Sequence, residues 1–219
     1  MTQVSALFGT IRPLAWRVAS LGAILAGLAA TLSPVHAAAF EWDVSTEVWV
    51  ATMSGRAGTA IEARSRWPTR DGAYQIVGYE DGSDRPTRFR VSWGSIDPNT
   101  LDGDSSTIEI PGQPYNALNA AMTVNIGADR VATAIQVCLN NDRIKGLRLW
   151  GKAVGRDGTL GNSERKSEAR RNNCHDSGWS ARVGCGTKKA ISALRFHKRS
   201  DGKNKWSFSG ISIACSRIR

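Results

Sequence analysis

Short runs of alternating apolar and polar residues dominate the chain beyond its N-terminal stretch. EVWVATM (Glu47–Met53), TAIEARSRW (Thr59–Trp67), YQIVGY (Tyr74–Tyr79), RFRVSW (Arg88–Trp93), STIEI (Ser106–Ile110) and AMTVNI (Ala121–Ile126) are rich in β-branched and aromatic residues and follow a period of two. In RFRVSW, Phe89, Val91 and Trp93 share one face and Arg88, Arg90 and Ser92 the other, the pattern of a half-buried strand. Turn dipeptides separate the runs: Asp71-Gly72, Asp81-Gly82, Asp102-Gly103, Pro111-Gly112, Asp157-Gly158 and Asp201-Gly202. The spacing predicts an all-β fold of antiparallel strands, built as a prism, sandwich or barrel. Short helices are expected only at Asn116–Ala121 and Ser163–Arg171.

Two strand pairs near the C-terminus look like copies of one unit. VATAIQVC (Val131–Cys138) followed by IKGLRLW (Ile144–Trp150) aligns with AISALRF (Ala190–Phe196) followed by SGISIAC (Ser209–Cys215). Ala134 falls on Ala193, Ile135 on Leu194 and Val137 on Phe196, and Gly146 falls on Gly210. A longer basic loop, HKRSDGKNKW, separates the strands of the second pair. No third copy is visible before residue 111.

The segment from Trp179 and Cys185 through the apolar strand to Ser209-Gly210-Ile211-Ser212-Ile213-Ala214-Cys215 resembles one repeat of vitelline membrane outer layer protein I. There a tryptophan and a cysteine-proline open the unit, and an asparagine-glycine-isoleucine strand ending in cysteine closes it. This chain has Gly186 in place of the proline and Ser209 in place of the asparagine, and the copy at 131–150 ends in Trp150. The resemblance covers about residues 178–215. It implies a β-prism of three sheets around a pseudo-threefold axis, as in jacalin-like lectins, and an extracellular coat or carbohydrate-contacting role. A β-sandwich is the alternative fold.

The N-terminus reads as a signal peptide over residues 1–37: Arg12 and Arg17 precede an apolar run from Val18 to Leu32, then Val35-His36-Ala37. That run is shorter than the roughly 20 residues a spanning helix needs. A mature chain of 38–219, secreted or periplasmic and not membrane-spanning, is expected. An even count of cysteines in an oxidising compartment reads as two disulfides with three possible connectivities, of which pairing within each repeat, Cys138 with Cys174 and Cys185 with Cys215, is the simplest. Zinc is not expected, because no close C-x2-C pair exists, although His175 follows Cys174.

Charge is divided unevenly. The formal +10 loses Arg12 and Arg17 with the leader; residues 40–110 are then acidic and residues 111–219 strongly basic, with a Pro/Gly seam at Pro111–Pro114. One composite domain is expected, with the seam as its internal boundary.

Candidate chemistry favours binding over catalysis. His175 and His197 sit in no catalytic motif, and His197 is expected at a surface or turn. A hydrolase would need two facing carboxylates from Glu41, Asp43, Glu47, Glu62, Glu80, Asp81, Asp84 and Glu109. Asp102-Gly103-Asp104-Ser105 reads as a hairpin turn, since it lacks the spacing of a calcium loop. No catalytic residue, metal or cofactor is assigned. Trp93 and Trp179 are expected to be structural. Trp150 and Trp206 flank two basic loops, Gly151–Asn173 and His197–Lys205. With Lys152, Arg156, Lys198, Arg199, Lys203 and Lys205 they form the candidate ligand-binding set, suited to a glycan or an acidic envelope polymer. The alternatives are an extracellular structural or protein-binding role, in which the acidic and basic halves attract partners, and a glycan hydrolase. Nucleic acid is not an expected partner.

Overall fold

The computed structural model describes residues 40–54, 58–66, 70–81, 84–97, 103–111, 119–200, 202 and 205–219. The leader at 1–37, most of the Pro111–Pro114 seam, Trp67 and Lys203 lie outside them. The described residues form twelve strands: β1 (Trp42–Ser54), β2 (Ala60–Ala63), β3 (Asp71–Glu80), β4 (Pro86–Ser95), β5 (Gly103–Glu109), β6 (Asn119–Asn125), β7 (Arg130–Asn140), β8 (Arg143–Val154), β9 (Leu160–Arg170), β10 (Val183–Gly184), β11 (Lys189–Ser200) and β12 (Trp206–Ile218). They make three antiparallel sheets, ordered β6-β3-β4-β5, β10-β7-β8-β9 and β2-β11-β12-β1. The fold is all-β and β-prism-like.

Each sheet is the same Greek key. A central hairpin lies between the strand that follows it, paired to its second member, and the next strand, paired to its first. The third key obeys this rule only if the chain is read as a circle, because its third and fourth strands, β1 and β2, come from the N-terminal end. Backbone bonds from Glu41 N to Arg219 O at 3.1 Å and from Arg219 N to Glu41 O at 2.9 Å close that circle.

The register of the three hairpins shows that they are one unit repeated. Each carries a bulge near the start of its first strand, at Tyr74, Thr133 and Ser192, positions 59 residues apart. A second bulge falls on the second strand, at Thr87, Lys145 and Ser209. A bulge adds one residue and sharpens local twist, so two at matched positions curve each hairpin in the same way. The hairpin at Asp71–Ser95 is therefore a further copy and the first unit along the chain, lying before residue 111 where the sequence showed none.

The inward faces of these hairpins meet in one core. First strands contribute Ala73 and Ile76, then Ala132, Ile135 and Val137, then Ile191, Leu194 and Phe196; second strands contribute Phe89 and Val91, then Leu147 and Leu149, then Ile211 and Ile213. Phe89 stacks on Phe196 at 4.7 Å between centroids, and Phe208 meets them edge-on at 5.4 and 5.8 Å. Gly78, matching Val137 and Phe196, must stay small, since a Cβ there would approach Phe89 to 2.7 Å. The first unit thus moves its bulk across the hairpin from the first strand to the second.

Several further expectations are corrected by this arrangement. Ser163–Arg171 is not a helix: through Arg170 it is edge strand β9, held by cross-strand pairs such as Glu168 opposite Arg148 and Lys166 opposite Trp150. Most of the expected basic loop Gly151–Asn173 is accordingly strand. Trp179 to Cys185 does not open the last unit; Val183 and Gly184 pair with β7 and complete the second. Both disulfides pair as Cys138–Cys174 and Cys185–Cys215, but the second joins two units rather than staying within one. His197 is buried, its Nε2 lying 2.6 Å from Ser212 Oγ, because its strand is central in its sheet. Of the expected helix at Asn116–Ala121, residues 119–121 belong to β6 and the rest lies outside the described residues.

The hairpin turns gather at one end. Asn173 donates to the Asp84 carboxylate at 2.6 Å and accepts from Asn140 at 2.5 Å, while Arg199 reaches Asp142 at 2.6 Å. At the first of these junctions the bulge residue Lys145, 2% exposed, places Nζ 3.1 Å from Glu80 and 2.9 Å from Asp84. Arg171 holds the other Glu80 oxygen at 3.2 Å. Burial pushes the Glu80 carboxyl above its usual range against the pull of Lys145. At Asp84 burial is the largest influence and acts upward, but the hydrogen bonds with Lys145, Glu80 and Asn173 and the Lys145 charge together hold the carboxyl low.

A buried charge stripped of its partner is costly, whereas replacing both by apolar groups is not. Lys145→Met is expected to lower unfolding stability by about 3 kcal/mol, and the double variant K145M/E80L to recover most of that loss. Urea denaturation measures both, and a single variant as stable as the wild type would remove this tie from the account.

Candidate ligand-binding site

Two tryptophans are core elements. Trp42 and Trp93 are fully buried, with Nε1 donating to Asp71 O and Ser106 Oγ. The other described mature tryptophans each lie under a cation: Trp49 under Arg195 at 3.7 Å, Trp150 under Arg182 at 4.5 Å, Trp179 under Arg148 at 3.9 Å and Trp206 with Lys198 at 5.2 Å. Such contacts contribute about 0.5–2 kcal/mol, more as they lose water. The rings therefore serve first as platforms for the protein's own cations.

Carboxylates thread these platforms into ladders. On the second sheet Arg148 Nε donates to Glu168 at 2.9 Å, Lys166 reaches the same oxygen at 2.7 Å, and Arg182 donates to Glu164 at 2.7 Å. The bonds from Arg148, then Lys166, pull the Glu168 carboxyl down to about 2. On the third sheet Arg64 grips Glu47 through two bonds, at 2.6 and 2.9 Å, and also contacts Glu62, which accepts from Arg195 at 3.0 Å. Glu47 lies low chiefly through the bond from Arg64; at Glu62 the bonds from Arg64 and Arg195 overcome burial.

The acids singled out in the N-terminal half are engaged in this way. Glu41 faces Arg70, Asp43 accepts from Ser45, Asp81 pairs with Arg85 and Glu109 with Arg88. Glu80 and Asp84 do face each other, sharing a side-chain hydrogen bond, and the Lys145 ammonium contacts both.

The candidate basic residues separate into two groups. Trp206, Lys198, Arg199 and the exposed Lys205 stand at the hairpin-turn end of the third sheet. Trp150 and Lys152 lie on the second sheet. Trp150 is eight residues from the turn residue Asp142, so roughly 25 Å further along the strand direction at about 3.3 Å per residue. The two tryptophans are not brought together.

Lys152 lines a groove of about 670 Å³ between two walls. One wall is the turn joining β8 to β9, where the Asp157 carboxylate accepts from Thr159 N at 3.1 Å and Thr159 Oγ1 at 2.7 Å, bonds that lower its pKa and shape the turn. Exposed Arg156 sits in this turn. The other wall runs from Arg182 to Lys188, fixed by Cys185 N donating to Thr133 O at 2.9 Å and by the Cys185–Cys215 disulfide. On the floor, the bulge residue Thr133 bonds Glu164 at 3.3 Å.

Among the described residues Lys152 and Lys188 have no ion pair, whereas Arg182 is shared between Glu164 and Trp150. Asn162, Thr159 and Thr187 add hydrogen-bonding groups to the lining. Sequence reasoning missed Arg182, Lys188 and Thr133. The available signal was the run Arg182-Val183-Gly184-Cys185-Gly186-Thr187-Lys188, whose glycines and flanking cations mark a basic loop.

No protein-family model and no curated protein matches this sequence. Solved structures with a similar chain course include Calystegia sepium agglutinin, at 15% identity over 79% of this chain and 96% of that one, TM-score 0.45. The Calsepa lectin in complex with a bisected glycan shares 17% identity over 77% and 96%, TM-score 0.40. The mosquito-larvicidal Cry4Aa toxin from Bacillus thuringiensis shares 10% over 78% and 32%, TM-score 0.44.

Glu168 binds its proton more weakly folded than unfolded, so its contribution is complete above pH about 4.5 and is lost as pH falls toward about 2. Glu168→Gln is expected to cost about 0.5 kcal/mol at pH 7 and only a small fraction of that at pH 2. Thermal melts of both proteins across this range test the sign, and parallel curves would contradict it.

Proposed function

We propose that residues 38–219 form an exported protein that binds an anionic glycan or envelope polymer in the groove between the β8–β9 turn and the Arg182–Lys188 segment. The observation that carries the reading is the pair Lys152 and Lys188, cations without an ion pair among the described residues, lining one groove of about 670 Å³. Two such ammoniums attract carboxylate or sulfate groups, while Thr159, Asn162 and Thr187 can bond the hydroxyls between them. Exposed charges are screened beyond about 8 Å at physiological salt, so binding should weaken steeply as salt rises. Trp150 contributes indirectly, as the platform that aims Arg182. The group around Trp206, Lys198 and Arg199 is not part of this groove. Catalysis plays no role in this reading.

Calorimetric titration at 0.15 M salt with polygalacturonate oligosaccharides, against neutral dextran oligosaccharides, tests it. The acidic series is expected to bind and K152E/K188E to weaken it at least tenfold; equal binding of the neutral series, or an unaffected variant, would reject the proposal. Export predicts that the protein recovered outside the cytoplasm has the intact mass of a chain starting at Ala38, and a mass retaining residues 1–37 would rule the leader out.

A further inference from the structure

The three units place their outward-facing residues at equivalent points, so one unit can be read against another. On the second strand of the hairpin, Arg90 in the first unit occupies the position of Arg148 in the second, two residues beyond the matched pairs Tyr79–Arg88 and Cys138–Gly146. The surroundings of the two arginines differ. The edge strand sets Glu168 opposite Arg148, and the Trp179 ring lies beneath it, so that guanidinium is engaged on both sides. Opposite Arg90 the edge strand β5 offers Thr107. Exposed Arg90 has neither an ion pair nor a ring contact among the described residues.

Arg90 faces a second open pocket, of about 460 Å³, lined with Tyr74, Ser92, Gly103, Asp104 and Ser105. Tyr74 is the bulge residue of the first strand, the counterpart of groove-lining Thr133. Asp104 accepts from Ser105 N at 2.7 Å and from Arg66 N at 2.6 Å, one bond to each oxygen, which fixes the carboxylate and leaves a lone pair free on each. The pocket therefore presents a guanidinium fork, a held carboxylate, serine hydroxyls and an aromatic side chain within the space of one small ring.

We infer that this pocket on the first sheet is a second binding site, separate from the groove and selective for a sugar acid. The guanidinium of Arg90 receives the ligand carboxylate, Asp104 and the serines bond the ring hydroxyls, and Tyr74 lies against the ring. A guanidinium suits a planar carboxylate because two parallel N–H donors meet its two oxygens. Asp104 disfavours a bare anion, whose charge it would repel, and so asks for a ligand that also brings hydroxyl donors.

Amide chemical shifts of the 15N-labelled full mature chain test this with D-glucuronate, its neutral methyl ester, D-glucose and inorganic sulfate. Glucuronate alone is expected to move the amides of Gly103, Asp104 and Ser105, and Arg90→Gln to weaken that response at least tenfold with the rest of the spectrum unchanged. Equal shifts with the methyl ester or glucose, equal shifts with sulfate, or an unaffected Arg90→Gln variant would each overturn the inference. The groove reports separately through Gly184 to Lys188: K152E/K188E is expected to leave the glucuronate response at Gly103–Ser105 intact, so either site can fail alone.

Discussion

A curved hairpin with one apolar face cannot bury that face alone, and the architecture follows from this constraint. Matched bulges give the three hairpins one curvature, so their concave faces close on a common core. What each must supply is volume toward the centre, not a given residue at a given point. The first unit sets Gly78 against Phe89, while the third places Phe196 on its first strand and Ile211 on its second. The Phe89–Phe196 stack joins the second strand of the first unit to the first strand of the third. Core density is kept although residue identity is not.

Charge is organised by the same symmetry. The acidic residues of the N-terminal portion and the basic residues of the C-terminal portion meet across the fold: Glu80 with Lys145 and Arg171 at a buried junction, Glu62 with Arg195 and Glu41 with Arg219 at the surface. The imbalance along the sequence is thus partly neutralised in space, while the chain as a whole keeps its net positive charge. Lys152, Lys188 and Arg90 have no ion pair among the described residues, and Arg90 contrasts with its equivalent Arg148, which is held by Glu168 and Trp179.

Strand identity was legible wherever one face was buried, as in RFRVSW, where Phe89, Val91 and Trp93 are all in the core. The second and third units could be matched because both keep aliphatic residues in phase. The first escaped notice because its bulk crosses the hairpin, which a strand-by-strand alignment reads as mismatch. β9 was obscure for a different reason: an edge strand facing water along Glu164, Lys166, Glu168 and Arg170 has no apolar alternation, and its strand character resides in cross-strand ion pairs. The tryptophans and lysines of the candidate set were found as residue types. Their grouping was not, because distance along a sheet depends on register, and register depends on bulges that leave no compositional mark.

The circular reading of the third Greek key bears on the order in which the molecule can assemble. β12 lies between β11 and β1, and β2 pairs only with β11. The strands made first therefore have no sheet to join until the strands made last exist. A chain of this design cannot complete its third sheet, or pair the strand that carries Trp42 and Val50, until β12 has been made. Under the export proposed above, in which the chain crosses a membrane before it folds, that delay would be an advantage conferred by topology alone.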